Sequence, residues 1–294
     1  MKKTLLFVTI ALLFMACNIK PRQTNKNTVT VTILPQKYFV EQIAGKNFAV
    51  NVILPPGASP ENYEPTHQQL LNMNNSFIFF YVGHLGFEKS WMKKFAENAP
   101  DVDFISCSKG IDLLVSDHEK GHKHEEENSQ RKGTDPHIWT SPENVKTISR
   151  TIFDELKTRF PKKEAEFKAN LDNFIGRIDT LDFYIRATLS DSIQHDFMIF
   201  HPSLGYFAQD YHLNQHSIEF EGKEPSPAHL KQMIDLARER NINTIFYQAQ
   251  FESEKAETVA REIGAELVNV DPLSGNWLSE MYSFTEKLKK SISK

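Results

Sequence analysis

The chain alternates between two kinds of hydrophobic pattern. Short apolar, β-branched runs predict strands, whereas longer stretches with an apolar residue every three or four positions predict helices. The predicted strands cover residues 28–34, 48–54, 77–82, 103–106, 197–201, 214–220, 244–248 and 266–270. The predicted helices cover residues 36–44, 87–97, 228–240, 254–263 and 278–290. Strands that alternate with helices form parallel sheets covered by helices, so four strands in each half predict an α/β fold with two lobes.

A long helical segment, residues 141–190, separates the two sets of strands. Ser141 is a favourable N-cap, Pro142 suits the first helical position, and Pro161 should break or kink the helix. Beyond Pro161 one apolar face continues for about 28 residues, roughly 40 Å of helix. Two ordinary helices in a single domain are the alternative, but we interpret the segment as a connection between the lobes. The apolar face consists of Phe167, Leu171, Phe174, Ile178, Leu181, Ile185 and Leu189.

The N-terminus resembles a bacterial lipoprotein signal. Two lysines precede an apolar run too short to span a bilayer, and a small residue directly precedes Cys17. We therefore expect residues 1–16 to be a signal, Cys17 to be lipidated, and residues 17–27 to form a polar tether. An ordinary secretory signal with an incidental cysteine is the alternative. The second cysteine, Cys107, is expected to be a small apolar residue at a strand end.

The charge balance restricts the class of partner. Removing the two signal lysines lowers the 34 basic residues to 32, against 38 acidic ones, a net charge of −6. Nucleic-acid binding depends on basic residues, so this balance argues against a nucleic-acid partner and mildly favours a cationic ligand.

The stretch DHEKGHKHEEENSQRKGTDPHIW holds four of the chain's eleven histidines. His118, His122 and His124 lie among acidic residues in a part, residues 117–132, that should not pack because it lacks apolar side chains. Short His-rich tracts are typical of metal handling. We expect either a solvated segment with little role or a weak accessory metal-binding loop. His137, in the compact DPHIW, is the better candidate for a fixed metal site.

Other candidate ligands follow apolar runs. In parallel α/β sheets, ligands bind beyond the carboxyl ends of the strands. His201 and Asp271 follow predicted strands of the second half, and Glu61 lies in the loop LPPGASPENYEP after the second strand. Taken alone, each has a structural explanation: a hydrogen-bonded histidine, a turn-forming Asp-Pro pair, a solvated acid. Together with His137 they take two residues from each half, which predicts a metal site in the cleft between the lobes.

Six segments spread along most of the chain share their order with a known family. They are PPGASPENYEPTHQQL, YVGHLGFEKSW, DPHIWTSPEN, FHPSLGYFAQDYHL, EGKEPSPAHLKQM and IFYQAQFESEKAETVAREIGAELVNVDPL. In this order they resemble the solute-binding lipoproteins of ABC-type zinc and manganese importers. The resemblance implies two α/β lobes joined by a long rigid helix, with the metal buried between them. It also implies that His137, His201 and Asp271 are metal ligands, and that the His-rich stretch occupies the place of the family's acidic His-rich loop.

The chain departs from the resembled family at one ligand. The family loop usually has histidine directly after the Ser/Asp-Pro pair, where this chain has Glu61. A carboxylate can replace imidazole on zinc, so we expect Glu61 to be the fourth ligand, with His67 and His84 as alternative nitrogen donors. The extra oxygen moves the preference toward manganese, whereas the His-rich stretch favours zinc. Zn²⁺ is therefore the predicted ion and Mn²⁺ the alternative.

The sequence thus predicts a receptor that is not an enzyme. It would be a monomer, lipid-anchored to the periplasmic face or cell surface of a bacterial membrane, and would deliver zinc to an ABC permease. The alternatives are a manganese receptor, a metal-dependent hydrolase that uses Glu61 as general base, and a surface adhesin with a structural metal. The chain contains no HExxH motif, which counts against the hydrolase. The predicted parts after the tether are a first lobe at 28–140, the connecting segment at 141–190 and a second lobe at 191–294.

Overall fold

The computed structural model describes residues 27–115, 133–219, 225–251 and 254–293. The predicted signal, Cys17 and most of the predicted tether lie outside these ranges, as do His118, His122 and His124. None of the helices in the described ranges is both long and apolar enough to cross a bilayer.

Each half of the chain forms a four-stranded parallel sheet, as predicted. The first contains β1 (Thr28–Val31), β2 (Ala49–Val52), β3 (Ile78–Tyr81) and β4 (Asp103–Ser106), in the order β2-β1-β3-β4. The second contains β5 (Asp196–Ile199), β6 (Asn214–Ser217), β7 (Thr244–Tyr247) and β8 (Glu266–Asn269), in the order β6-β5-β7-β8. The central strands β3 and β7, IFFY and TIFY, are buried along most of their length because helices cover both faces of such sheets.

The helices include two short ones that the hydrophobic pattern did not predict. These are α2 (His67–Asn74) and α6 (Gly205–Asp210), which have eight and six residues and so too few turns to show a helical period. Two 3₁₀ turns, Ile138–Thr140 and Pro161–Lys163, flank the first long helix. The helices are α1 (Leu34–Ala44), α2 (His67–Asn74), α3 (Gly86–Asn98), α4 (Pro142–Arg159), α5 (Glu164–Leu189), α6 (Gly205–Asp210), α7 (Pro227–Glu239), α8 (Glu254–Ile263) and α9 (Trp277–Ile292).

The predicted connecting helix is α5. It restarts after the break at Pro161 and runs for 26 residues, about 39 Å at 1.5 Å per residue. Its buried side chains are the seven that the sequence pattern selected, Phe167 to Leu189. On one side α5 packs against α1 of the first lobe, and on another against α9, which also contacts β5 of the second lobe. The helix therefore connects the lobes through packing as well as through the chain.

The hydrophobic core is shared between the lobes. One large cluster joins the first lobe, α4, α5, α9 and the inner side of the second lobe, including Phe197, Phe207 and Phe246. A smaller cluster, including Met198 and Ile245, fills the outer side of the second sheet beneath α7 and α8. Because the larger core extends across both lobes, their relative motion would disturb buried contacts.

Candidate metal site

Glu61, His137 and His201 come together between the two sheets. The donor atoms of these three side chains all lie within 4.8 Å of one another. Nε2 of His137 is 3.2 Å from Nε2 of His201, and Oε1 of Glu61 is 3.8 Å from that same His201 atom. The two histidines are only 4% and 2% exposed. Among the described residues this is the one set of three or more metal-binding side chains so close together, which makes it the candidate metal site.

His137 is oriented by the Asp-Pro-His turn. Oδ1 of Asp135 accepts hydrogen bonds from the backbone N–H of His137 at 2.9 Å and from its ring Nδ1 at 2.7 Å. Because a carboxylate accepts these bonds, Nδ1 carries the proton and Nε2 keeps its lone pair for a metal. Gly205 permits this arrangement, since a Cβ atom there would lie 2.5 Å from Oδ2 of Asp135.

Tyr206 ties the second lobe to the same turn. Its hydroxyl donates to the carbonyl oxygen of Asp135 at 2.9 Å and accepts from the backbone N–H of Leu114 at 3.1 Å. Burial raises the pKa of Tyr206 to about 12, so the hydroxyl stays protonated and can donate. The turn that carries His137 is therefore fixed from both lobes.

His201 follows β5 and is oriented by three neighbours. Its ring Nδ1 donates to Oε2 of Glu219, 2.8 Å away, which is buried just beyond β6. The side chain of Gln248 donates to the carbonyl oxygen of His201 at 2.9 Å and accepts from its backbone N–H at 3.3 Å. Phe251 stacks on the imidazole ring. With Nδ1 engaged by Glu219, Nε2 of His201 also presents a lone pair to the cleft.

Glu61 reaches the site from the loop after β2. Its side chain is 18% exposed, and its backbone carbonyl packs against Gly86, the first residue of α3. A Cβ atom at Gly86 would collide with that carbonyl, so glycine is needed there for a close approach. The loop containing Glu61 is therefore seated directly on the start of α3.

A buried carboxylate holds the start of α3 in place. Glu88 is 1% exposed and accepts hydrogen bonds from the backbone N–H groups of Val82 and Gly83 at 2.8 and 2.7 Å, and from Thr32 Oγ1 at 2.5 Å. Burial raises the pKa of Glu88, and these three donors offset part of that effect.

Asp271 lies outside the three-residue cluster. It follows β8, and its Oδ1 accepts hydrogen bonds from Nε2 of Gln250 at 2.9 Å and from the backbone N–H of Leu273 at 3.2 Å. The neighbouring carbonyl of Pro272 accepts from Trp139 Nε1 at 2.8 Å, which ties the Asp271 segment to the turn after His137. The assignment of Asp271 as a ligand remains a prediction.

The two alternative nitrogen donors are placed differently from Glu61. His67 is exposed at the first turn of α2. His84 is half-buried in the loop between β3 and α3, where burial and the positive charge of Lys89 lower its pKa. Neither belongs to the cluster of Glu61, His137 and His201, so the structure favours Glu61 at this position.

Sequence reasoning missed the residues that orient the candidate ligands. These are Asp135, Glu219, Gln248, Gln250 and Phe251. Two of them carried a usable signal: Asp135 belongs to the same DPH motif as His137, and Glu219 follows a strand as the ligand candidates do. The other three lie in one turn after β7 and gave no signal of their own.

Comparison with known proteins assigns the chain to a family. A family model described as zinc-uptake complex component A, periplasmic (ZnuA), matches residues 29–291. The chain belongs to this family. The family resemblance expected from the sequence is thus confirmed, and the ZnuA family is described as a component of an uptake system rather than as an enzyme.

Individual relatives extend the comparison. A zinc-binding protein AdcA of Streptococcus pyogenes serotype M3 is 27% identical over 299 residues, which cover 95% of this chain and 58% of AdcA. A crystal structure of ZnuA is 37% identical, with 90% of this chain and 99% of that chain covered and a TM-score of 0.83. A ZnuA deletion mutant with zinc bound is 36% identical, with 91% and 98% covered and the same TM-score of 0.83. This chain thus spans about 58% of the length of the AdcA protein that it matches.

Proposed function

We propose that the protein is an extracytoplasmic receptor that binds zinc and delivers it to the membrane permease of an ABC-type importer. The observation that carries this proposal is the arrangement of His137 and His201. Each imidazole donates a hydrogen bond from its Nδ1–H to a buried carboxylate, and the two Nε2 atoms approach to 3.2 Å beside Glu61. Two lone pairs directed at one buried point repel each other unless a proton or a metal ion lies between them.

The spacing of the donors suits zinc. Zinc binds imidazole nitrogen at about 2.0–2.1 Å and is usually tetrahedral. The two Nε2 atoms are 3.2 Å apart. A zinc ion at its bonding distance from both would therefore have an N–Zn–N angle of about 100°. Neighbouring ligands of a tetrahedral zinc lie about 3.4 Å apart, so Glu61 Oε1, now 3.8 Å from His201 Nε2, needs to approach by a few tenths of an ångström.

Asp271 is the proposed fourth ligand. Its segment is tied to the His137 turn through Trp139, so its carboxylate lies in a loop that borders the site. Four protein donors would leave no open position for a nucleophilic water, which is the feature of hydrolytic zinc sites. Transport therefore fits this donor set better than hydrolysis, and two imidazoles favour zinc over manganese.

The ligand assignment is tested by competitive zinc titration of the wild type and of Glu61→Ala, His67→Ala and His84→Ala. We expect Glu61→Ala to weaken zinc binding at least tenfold, because it removes one of four ligands. We expect the two histidine variants to bind like the wild type. Unchanged affinity in Glu61→Ala would remove Glu61 from the site, and a large loss in His67→Ala or His84→Ala would name its replacement.

The transport role is tested in cells. Deletion of the gene should impair growth in zinc-depleted medium, and the wild-type chain should restore it, whereas a His137→Ala, His201→Ala double variant should not. If added manganese, but not added zinc, restored growth of the deletion strain, a manganese receptor would be supported instead. Purified protein that hydrolysed esters or phosphates in a metal-dependent way would favour the hydrolase.

The remaining parts of the proposal concern residues outside the described ranges. We propose that Cys17 is lipidated and that residues 117–132 form an accessory metal-binding loop. Incorporation of labelled fatty acid in the wild type, and its loss in Cys17→Ser, would support the anchor. Deletion of residues 117–132 should leave tight zinc binding intact. If the tight site disappeared in that variant, the assignment of His137 and His201 as its centre would be wrong.

A further inference from the structure

Oδ1 of Asp271 is fully occupied by hydrogen bonds. Gln250 Nε2 donates to it at 2.9 Å, and the backbone N–H of Leu273 donates to it at 3.2 Å. A carboxylate oxygen has about two lone-pair positions, so these two donors fill Oδ1. Oδ2 is the oxygen that remains for another ligand.

The backbone around Asp271 is fixed as well. Its N–H donates to Oε1 of Glu280 on α9 at 3.0 Å. The carbonyl of the next residue, Pro272, accepts from Trp139, and Trp277 Nε1 donates back to the carbonyl of Trp139 at 2.8 Å. The carboxylate therefore lies on a short side chain whose backbone is tied both to α9 and to the His137 turn.

Gln250 belongs to a turn that also contacts His201. The backbone N–H of Phe251 donates to the carbonyl of Gln248 at 3.2 Å, which closes the turn after β7. Gln248 binds both backbone polar groups of His201, and Phe251 stacks on its ring. The turn that holds the Gln250 amide against Asp271 therefore also contains Gln248 and Phe251, which position His201.

We propose that Gln250 is a specificity-determining residue of the metal site, because it confines Asp271 to one coordinating oxygen. The inference rests on the proposed function, in which Asp271 is a ligand. Zinc is satisfied by four donors in a tetrahedron, whereas manganese takes more donors, with a preference for oxygen. One oxygen from Asp271, one from Glu61 and the two imidazoles make four. A second oxygen from Asp271 would add a fifth donor, which benefits manganese more than zinc.

The test compares zinc and manganese dissociation constants of the full-length protein in the wild type, Gln250→Met, Asp271→Ala and Gln194→Met. Gln250→Met keeps the side-chain volume and removes the amide donor. Gln194→Met is the matched control, since Gln194 also donates one hydrogen bond, to the carbonyl of Arg240, but precedes β5 at the opposite end of the sheet. We expect Gln250→Met to lower the preference for zinc over manganese by about tenfold or more, and Gln194→Met to leave it unchanged.

The outcomes separate this inference from the proposed function. If Asp271→Ala weakens zinc binding but Gln250→Met changes the affinities for zinc and manganese by the same factor, Gln250 does not set specificity. The assignment of Asp271 as a ligand then stands. If Asp271→Ala binds zinc like the wild type, Asp271 is not a ligand, and both its proposed role as fourth ligand and the inference about Gln250 are wrong. A crystal structure of the wild type with zinc provides a readout that needs no variant. It should show one Asp271 oxygen on the ion and the other on Gln250, and two oxygens on the ion would overturn the inference.

Discussion

Phe251 stacks on His201, with ring centroids 4.1 Å apart and planes inclined by 16°. The stacking restrains the face of the imidazole, and the hydrogen bond to Glu219 restrains the ring edge at Nδ1. An aromatic pair of this kind contributes about 0.5–1.5 kcal/mol beyond simple burial. The orientation of His201 therefore depends on a residue that does not itself offer a metal ligand.

Phe251→Ala should weaken zinc binding about 2- to 10-fold, because it removes about 0.5–1.5 kcal/mol of stacking that orients the proposed ligand His201. Competition titration against a zinc-binding dye would measure it. Phe183→Ala, at a ring that is 74% exposed, is the control for removal of a phenyl group. Equal affinity of Phe251→Ala and Phe183→Ala would show that the stacking has no part in binding.

Asp135→Asn and Glu219→Gln should each lower zinc affinity about 10- to 100-fold, because the carboxylate that accepts Nδ1–H raises the basicity of the metal-binding Nε2. The affinity should be measured by the same competition titration. Asp196→Asn is a matched control, since its Oδ1 accepts from His216 Nε2 at 2.7 Å away from the cluster. A similar loss in Asp196→Asn would mean that the effect reflects stability and not the ligands.

Gly205→Ala should impair the site through Asp135. The new Cβ atom would lie 2.5 Å from Oδ2 of Asp135, closer than non-bonded atoms approach, so the carboxylate must shift from its place beneath His137. We expect zinc affinity to fall about tenfold or more, as titration would measure. Gly176→Ala on α5 has open space for the methyl group and should bind zinc normally. Normal zinc binding by Gly205→Ala would show that Asp135 can shift without disturbing His137.

Glu88 should make the stability of the metal-free protein fall as the pH rises. Burial raises its folded-state pKa above the ordinary value of 4.5. The neutral carboxyl is therefore favoured in the folded state, and its contribution is complete below pH 4.5 and decreases as the pH rises through the folded-state pKa. Glu88→Gln cannot ionise, so its free energy of unfolding should decrease less over this range.

Urea unfolding at a series of pH values would measure the difference between the wild type and Glu88→Gln. Glu97→Gln, at an exposed acid on the same helix, provides the control. Parallel stability curves for the wild type and Glu88→Gln would contradict the prediction, because they would mean that Glu88 titrates alike in the folded and unfolded chain.

Cys107 should be unreactive in the folded protein. It is 1% exposed, and burial raises its pKa to about 12, so almost no thiolate is present near neutral pH. In a Cys17→Ser variant, where Cys107 is the remaining thiol, alkylation by a maleimide should become rapid when the protein is unfolded. Rapid alkylation of the native protein would show that the end of β4 opens readily.

Much of the fold was predictable because its signals are local. The apolar runs gave all eight strands within a few residues, and the seven buried positions of α5 follow directly from their three- and four-residue spacing. Pro161 ended α4 as its missing N–H requires, and Ser141 caps it with a bond from Asn144 N–H at 3.1 Å. The short helices α2 and α6 escaped prediction because one or two turns contain no repeat.

For the site, the sequence by itself determined which residues could supply donor atoms. The rule that ligands follow parallel strands selected Glu61, His201 and Asp271, and the DPHIW motif selected His137. The tertiary structure decided how they are used. Glu61, and not His67 or His84, lies beside the two imidazoles. Glu219 accepts a hydrogen bond from His201, 18 residues away in the sequence, and Gln250 donates one to Asp271, 21 residues away. The reason is physical: periodicity is set by neighbours along the chain, whereas a hydrogen bond between two loops depends on strand order and packing, which no local pattern contains.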